Sequence, residues 1–292
     1  MFPLKLHRSL LPNLFARVAW IFLAGLLLST QLSAENIPSR ALQFASFGTY
    51  VNSALTGVAL EDFEAITAEV ENNIFWKKEA KENKYQSAYK RSIPYLDKML
   101  RDDIPDFVFL IPYLESGWHA KKGKVRSDYG YWQLVQEVVD EIQQLNQASD
   151  ALKEAHPDAV RSDPDLSTEA ALIHLKRYYF YFHHVANFDE ADAWLFSVTA
   201  FNWGAGNIKR MLQQMQEENE YEGISFSDFY HYLFEASQKQ PKNRSMRVAL
   251  EYIPNLWNIA LLVQTAQQKH YPQLDTENKA LTLNRSASVS IP

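Results

Sequence analysis

The chain contains no cysteine among its 292 residues. It can therefore form no disulfide, carry no thiol nucleophile, build no thiolate metal site and accept no lipid on a cysteine. Other signatures are missing too. There is no Walker A loop, nucleophile-elbow serine, EF-hand loop, internal repeat or LysM-like repeat. No stretch alternates apolar and polar residues long enough to count as a strand. His183-His184 comes without an HExxH or other spaced ligand set. Adjacent residues on a helix point in different directions, so the pair reads as a solvated helix end and no metal is expected. Gly204-Ala205-Gly206 lacks the third glycine and the preceding strand of a dinucleotide fingerprint. It reads as a tight turn opening a helix from Asn207 through Gln214.

What is present is enough for a core. Hydrophobic residues make up 47% of the chain and charged residues 22%, which suits one large globular domain or two small ones. At the start, Lys5, Arg8 and Arg17 precede the apolar run Val18 to Leu28, and the small residues Ser33-Ala34 follow. This is the layout of a secretory signal peptide spanning 1–34, and it predicts cleavage near Ala34 and a free periplasmic protein. The alternative, a retained anchor, needs ~20 apolar residues to span a bilayer, and this run is shorter. Losing the three basic residues of the leader takes the formal charge from −6 to −9. So acidic a chain does not have the electrostatic footprint of a nucleic-acid binder.

Helical periodicity dominates the rest. Leu60, Phe63, Ile66 and Val70 recur at three- and four-residue steps, as do Ile93, Leu96, Met99 and Leu100. The Asp102 to Pro105 turn suits proline at the first turn of a helix carrying the apolar run Phe107 to Leu114. Leu134 to Leu145 returns to helical spacing. Asp163 to Glu169 supplies N-cap candidates ahead of a tyrosine-rich helix, Ala170 to Phe182, whose aromatics surround it and argue for burial. Phe226 to Phe234 reads as a short aromatic helix, Leu256 to Val263 as another, and the tail over 269–292 as polar and loose. The fold class expected is all-α.

Glu115 closes the apolar run Phe107 to Leu114. A carboxylic acid in apolar surroundings holds its proton to higher pH, because low dielectric disfavours the charged form, and it can then serve as a general acid near neutrality. A glutamate at a helix end is also commonly a solvated or capping residue, and the carboxylate by itself does not separate the two readings. Between Glu115 and Gln133 a loop carries Lys121, Lys122, Lys124 and Arg126. It reads either as a solvated face or as a contact for carboxylates of a binding partner.

The spacing beyond Glu115 resembles the catalytic motif of the lytic transglycosylases of the soluble-lytic-transglycosylase class, closest to the membrane-bound murein transglycosylase D type. Glu115, Ser116, Trp118, Gly130 and Gln133 fall on that pattern, with Tyr131 where leucine is usual. Ala200-Phe201-Asn202-Trp203-Gly204-Ala205-Gly206 resembles a second family block and Tyr252-Ile253-Pro254 a third, in the right order. The resemblance implies a lysozyme-like domain over 91–268, preceded by extra N-terminal helices over 35–90. It implies peptidoglycan glycan strands as the partner and no cofactor.

The resemblance also implies residue roles. Glu115 is the single acid, then base, in cleaving the β-1,4 bond between N-acetylmuramic acid and N-acetylglucosamine, leaving a 1,6-anhydromuramoyl end. Ser116 orients the acid, Gln133 and Asn202 bond the sugar or its acetamido group, and Tyr252 reaches the catalytic centre. Trp118, Tyr131 and Trp132 are either sugar-stacking surfaces or core. The chain departs from the family at Lys122, Lys124, Ser127 and Asp128, where small residues are usual, and at Phe201, where tyrosine is usual. Two other readings stay open: a peptidoglycan-binding scaffold that has lost turnover, and a water-using muramidase with Asp128 or Asp163 as second carboxylate.

Overall fold

The structure is a computed structural model that describes residues 42, 44–74, 84–219 and 223–272. The leader expected over 1–34 and most of the polar tail lie outside these residues. Among the described residues twelve α-helices follow one another: α1 Ala45–Ala54, α2 Gly57–Ile74, α3 Lys84–Met99, α4 Ile111–Glu115, α5 Gln136–Gln143, α6 Asp150–Glu154, α7 Pro157–Ser162, α8 Pro164–Phe180, α9 Glu190–Trp203, α10 Ala205–Asn219, α11 Phe226–Lys239 and α12 Arg244–His270. A 3-10 turn, Asp106–Leu110, leads into α4, and a π-helical turn, Tyr181–Val185, follows α8. No strand forms among the described residues, and the fold is all-α. No helix among them is long and apolar enough to cross a membrane.

The helix starts follow local chemistry. Asp163 accepts from the amides of Asp165 and Leu166, both at 2.9 Å, and Pro164 occupies the first position of α8, where a missing N–H costs nothing. At α11, Ser225 and Asp228 form a reciprocal capping box, and the buried carboxylate of Asp192 on α9 takes the Phe226 amide at 2.9 Å. The expected boundaries shift accordingly. The short helix at Phe226 runs on to Lys239, and the helix after Gly204 opens at Ala205 rather than Asn207.

The central element is α12, against which α2, α3, α4, α9 and α11 all pack. Phe47 of α1 stacks on Phe107 at 4.6 Å between ring centroids and meets Trp257 of α12 at 5.3 Å. The buried amide of Gln267 pairs with both backbone groups of Leu42, accepting from the N–H at 2.9 Å and donating to the carbonyl at 3.2 Å. The apolar spacing Leu60, Phe63, Ile66, Val70 is buried throughout.

One feature of α12 departs from the expected pattern. Tyr252-Ile253-Pro254 does not precede a helix; it lies inside one 27-residue helix. Proline has no N–H to give the carbonyl four residues back, Leu250, and its ring crowds it. The buried phenol of Tyr230 on α11 donates to that carbonyl at 3.2 Å. Tyr230→Phe should therefore destabilise the protein by about 1–3 kcal/mol, the cost of an unsatisfied buried carbonyl. In a Pro254→Ala background, where the helix supplies its own donor, the same change should cost less. A double-mutant cycle by urea unfolding measures this, and a coupling below about 0.5 kcal/mol would refute the compensation.

Candidate active site

Helix α4 is only five residues long, and Glu115 is its last. The chain reverses immediately afterwards through two left-handed residues, Gly117 at φ 61° and Trp118 at φ 59°. Trp118 N–H returns to the Pro112 carbonyl at 3.3 Å, and Gly117 N–H to that of Tyr113 at 3.2 Å. The Gly117 carbonyl is taken by Arg91 of α3, whose Nε and Nη2 donate at 3.0 and 2.7 Å. A left-handed backbone is costly for tryptophan, so the turn depends on such outside contacts.

Burial is the main influence on the Glu115 carboxyl. It raises the group to about 7, against the opposing pull of a hydrogen bond from Tyr252 and with a smaller upward push from the charge of Asp128. The Tyr252 hydroxyl donates to Glu115 Oε1 at 2.7 Å. Tyr252 is itself buried, and burial and the neighbouring Glu115 hold its phenol far above the ordinary range. It remains a donor at every pH where Glu115 titrates. Tyr85 of α3 lies within reach of the same charge: burial, then Glu115, pushes its phenol up to about 12.

The residues between Glu115 and α5 form a loop held by its own carbonyls. Ser116 Oγ donates to the Tyr131 carbonyl at 2.7 Å and is 3.1 Å from that of Pro112. Gln133, at φ 51°, donates through Nε2 to the carbonyls of Lys122 at 2.9 Å and Gly130 at 2.6 Å. Tyr129 bridges to both Gly123 and Leu134. Beneath the loop lies Arg161 of α7, fully buried, with Nη1 donating to the carbonyls of Ser127 and Leu134 and Nη2 to Val125 and Asp158. The Arg161 carbonyl takes the Tyr131 amide at 3.2 Å.

The remaining expected site residues divide. Trp118, 2% exposed, packs against Tyr95, Tyr113 and Tyr131, with centroids at 6.4, 5.8 and 5.8 Å. Of the two readings open for it, this placement is core. Trp132 is also core, its indole N–H on Thr168 Oγ1 at 3.0 Å. Tyr131 is buried against Tyr95 and Trp118. Asn202 is exposed in the last turn of α9, and its neighbour Phe201 packs on Trp132 at 6.2 Å. Ser116 and Gln133 are committed to main-chain carbonyls, so their shared contribution is the shape of the loop. Asp163 is committed to capping α8, whereas Asp128 is exposed and its charge reaches Glu115.

Sequence reasoning missed Arg91, Tyr85 and Arg161. Nothing in their local pattern sets them apart from the charged and aromatic residues around them; only the tertiary approach of α3 and α7 does. A cavity of about 720 Å³ opens elsewhere, beside α2, α10 and α11, and carries none of the motif residues. Its titratable groups are already paired, His231 with Asp62, Tyr232 with Glu218 and Lys239 with Glu235.

Comparison with known proteins agrees with this geometry. Residues 99–224 match the family model of the transglycosylase SLT domain, a lysozyme-like all-α fold. The match supports a function on peptidoglycan of the lytic-transglycosylase type in general terms. No curated protein matches the chain. Tyr252, which bonds Glu115, and Arg91, which bonds the Gly117 carbonyl in the turn after it, both lie outside the matched segment.

Two predictions arise from this site. A Cβ at Gly130, φ 85°, would fall 1.7 Å from the Arg161 carbonyl, so Gly130→Ala should displace the loop and abolish activity while the helical circular dichroism signal persists. Activity retained above a tenth of wild type would show the loop is not needed. Tyr252→Phe removes the bond that favours the Glu115 carboxylate, so the carboxyl should titrate still higher and the alkaline limb of kcat/KM should move to higher pH. A limb that stays or falls would contradict the assigned direction.

Proposed function

We propose that the protein is a peptidoglycan lytic transglycosylase in which Glu115 acts first as general acid and then as base. The carrying observation is the carboxyl of Glu115, desolvated to about 7 and held at 2.7 Å by a buried phenol. A general acid works best when its pKa lies near the operating pH, and this one is protonated in useful amount up to neutrality. Protonated Glu115 gives its proton to the oxygen bridging N-acetylmuramic acid and N-acetylglucosamine, and the C1–O bond breaks. The substrate's N-acetyl oxygen supports C1 as positive charge develops there. The C6 hydroxyl of the same sugar then attacks C1, and ionised Glu115 takes its proton, restoring the acid. Attack from within the sugar has a high effective molarity, so water need not be activated.

Tyr252 keeps one oxygen of Glu115 engaged, which orients the other toward the leaving group. Arg91 holds the turn that ends α4, and Arg161 with Ser116 and Gln133 holds the loop that forms the floor. Exposed Asn202 is a donor and acceptor suited to a sugar amide. A second reading, the water-using muramidase, rests on Asp128, whose charge is felt at Glu115. Asp163 is set aside as its partner because both its backbone contacts serve α8.

Glu115→Gln should cut turnover of purified sacculi by ~10² to 10⁴ while glycan binding is kept, as expected for loss of a general acid. Product masses separate the readings. Intramolecular attack adds no water, so muropeptide ends should be about 18 Da lighter than hydrolysed ends and resist borohydride. Reducible, full-mass ends would overturn the transglycosylase reading in favour of Asp128 as base, and a wild type that cleaves nothing would favour the scaffold.

A further inference from the structure

Helix α9 ends in Asn202-Trp203, and Gly204, at φ 84°, lets α10 start at once. Trp203 is only half-buried, and two contacts fix it. Its indole N–H donates to Ser245 Oγ in the first turn of α12 at 2.8 Å, and its carbonyl accepts from Asn207 Nδ2 of α10 at 2.5 Å. Asn207 Oδ1 in turn takes an N–H of Arg210, so one amide joins the end of α9 to that guanidinium. Trp203, Asn207, Arg210, Gln214, Asn243 and Ser245 line a cavity of about 210 Å³.

The cavity is chemically one-sided. An indole, a guanidinium, amides, a hydroxyl and two methionines line it, and no carboxylate among the described residues does. Arg177 and Arg247 are paired with Glu141 and with Glu69 and Glu251. Arg210 has no acidic partner among the described residues. With one of its N–H groups engaged, a guanidinium keeps enough donors for a two-pronged hold on a carboxylate. A fixed indole can stack on the apolar side of a sugar ring without giving up rotamer freedom. The space is smaller than the ~300–1,000 Å³ of a drug-sized site, which suits one ring rather than a strand.

The place of the cavity follows from α12, which carries both Ser245 and Tyr252. Their separation makes close to two helical turns, so the two residues lie on one face, roughly 10 Å apart along the axis. Tyr252 bonds Glu115, so the cavity lies on the side of α12 that meets the acid, and exposed Asn202 adjoins Trp203 in the chain. We propose that Trp203 and Arg210 form a distal subsite that holds a carboxylate-bearing sugar unit of the same glycan strand, away from the bond being cut. This rests on the peptidoglycan reading of Glu115 and deepens it. Two sources offer the carboxylate, the lactyl group of muramic acid and the stem peptide.

Affinities should be measured in a Glu115→Gln background for neutral chito-oligosaccharide, peptide-free glycan and peptide-bearing glycan, each as a disaccharide and as a longer strand. Trp203→Ala should weaken the longer ligands roughly three- to tenfold, the size of one aromatic contact, and the disaccharides by under about twofold, because a short ligand in the central site does not reach the cavity. Arg210→Gln, a surface change on α10, should weaken long carboxylate-bearing glycan about threefold and leave long chito-oligosaccharide unchanged. Loss on both glycans identifies the lactyl group as the source; loss confined to the peptide-bearing glycan identifies the stem peptide. An equal loss at both lengths with Trp203→Ala would mark a structural role and overturn the subsite, as would affinities that neither variant moves. A protein that binds no glycan overturns the subsite and the peptidoglycan reading together, whereas wild-type products without anhydro ends overturn the transglycosylase reading and leave the subsite standing.

Discussion

The hydrogen bond from Tyr252 to Glu115 joins two residues 137 positions apart, and much of the fold serves to bring them together. Two opposing influences meet on that carboxyl. Burial resists its charge, the phenol favours it, and burial is the larger. A carboxylate given two or three donors would be a permanent anion, as backbone-bonded carboxylates are, and a carboxyl with none would hold its proton too firmly to return as a base. One phenolic donor on a desolvated carboxyl leaves the group between these limits.

Around that pair the polar chemistry is directed inward. Arg91, Ser116, Gln133 and Arg161 all donate to main-chain carbonyls of the stretch from Pro112 to Leu134. This stretch has almost no regular secondary structure, so its carbonyls need partners from elsewhere. The cationic and amide side chains supply them, and the turn geometry at Gly117, Trp118, Gly130 and Gln133 is held by the same contacts. A loop stabilised in this way is an extension of the core rather than a mobile cover. That rigidity suits a carboxyl that ends a helix too short to be stable alone.

Much of this was legible in the sequence where the signal is local. The all-α class came from apolar spacing, the N-cap of α8 lay among the candidates over Asp163 to Glu169 although the helix starts six residues before the expected Ala170, and the place of Glu115 came from the apolar run before it. Tyr252 was expected near the centre through resemblance alone; no periodicity distinguishes it from its neighbours. What could not be read depended on distant chain segments. Arg161 is a buried arginine in a stretch otherwise rich in exposed charge, and burial of a guanidinium is decided by the carbonyls that converge on it. Ser116 and Gln133 were expected to serve the acid and the sugar, and their side chains instead face the loop's backbone. The helix expected over Leu256 to Val263 starts at Arg244 instead and runs through Pro254, whose missing N–H is compensated by a phenol from another helix, which no local rule anticipates.

The placement of Arg91 and Tyr252 bears on what counts as the domain. The segment that matches the SLT family model, 99–224, contains Glu115 but neither Tyr252, which bonds it from α12, nor Arg91, which bonds the Gly117 carbonyl from α3. Sequence likeness and mechanical completeness therefore have different borders in this molecule. A fragment drawn along the first border would be an acid without its socket.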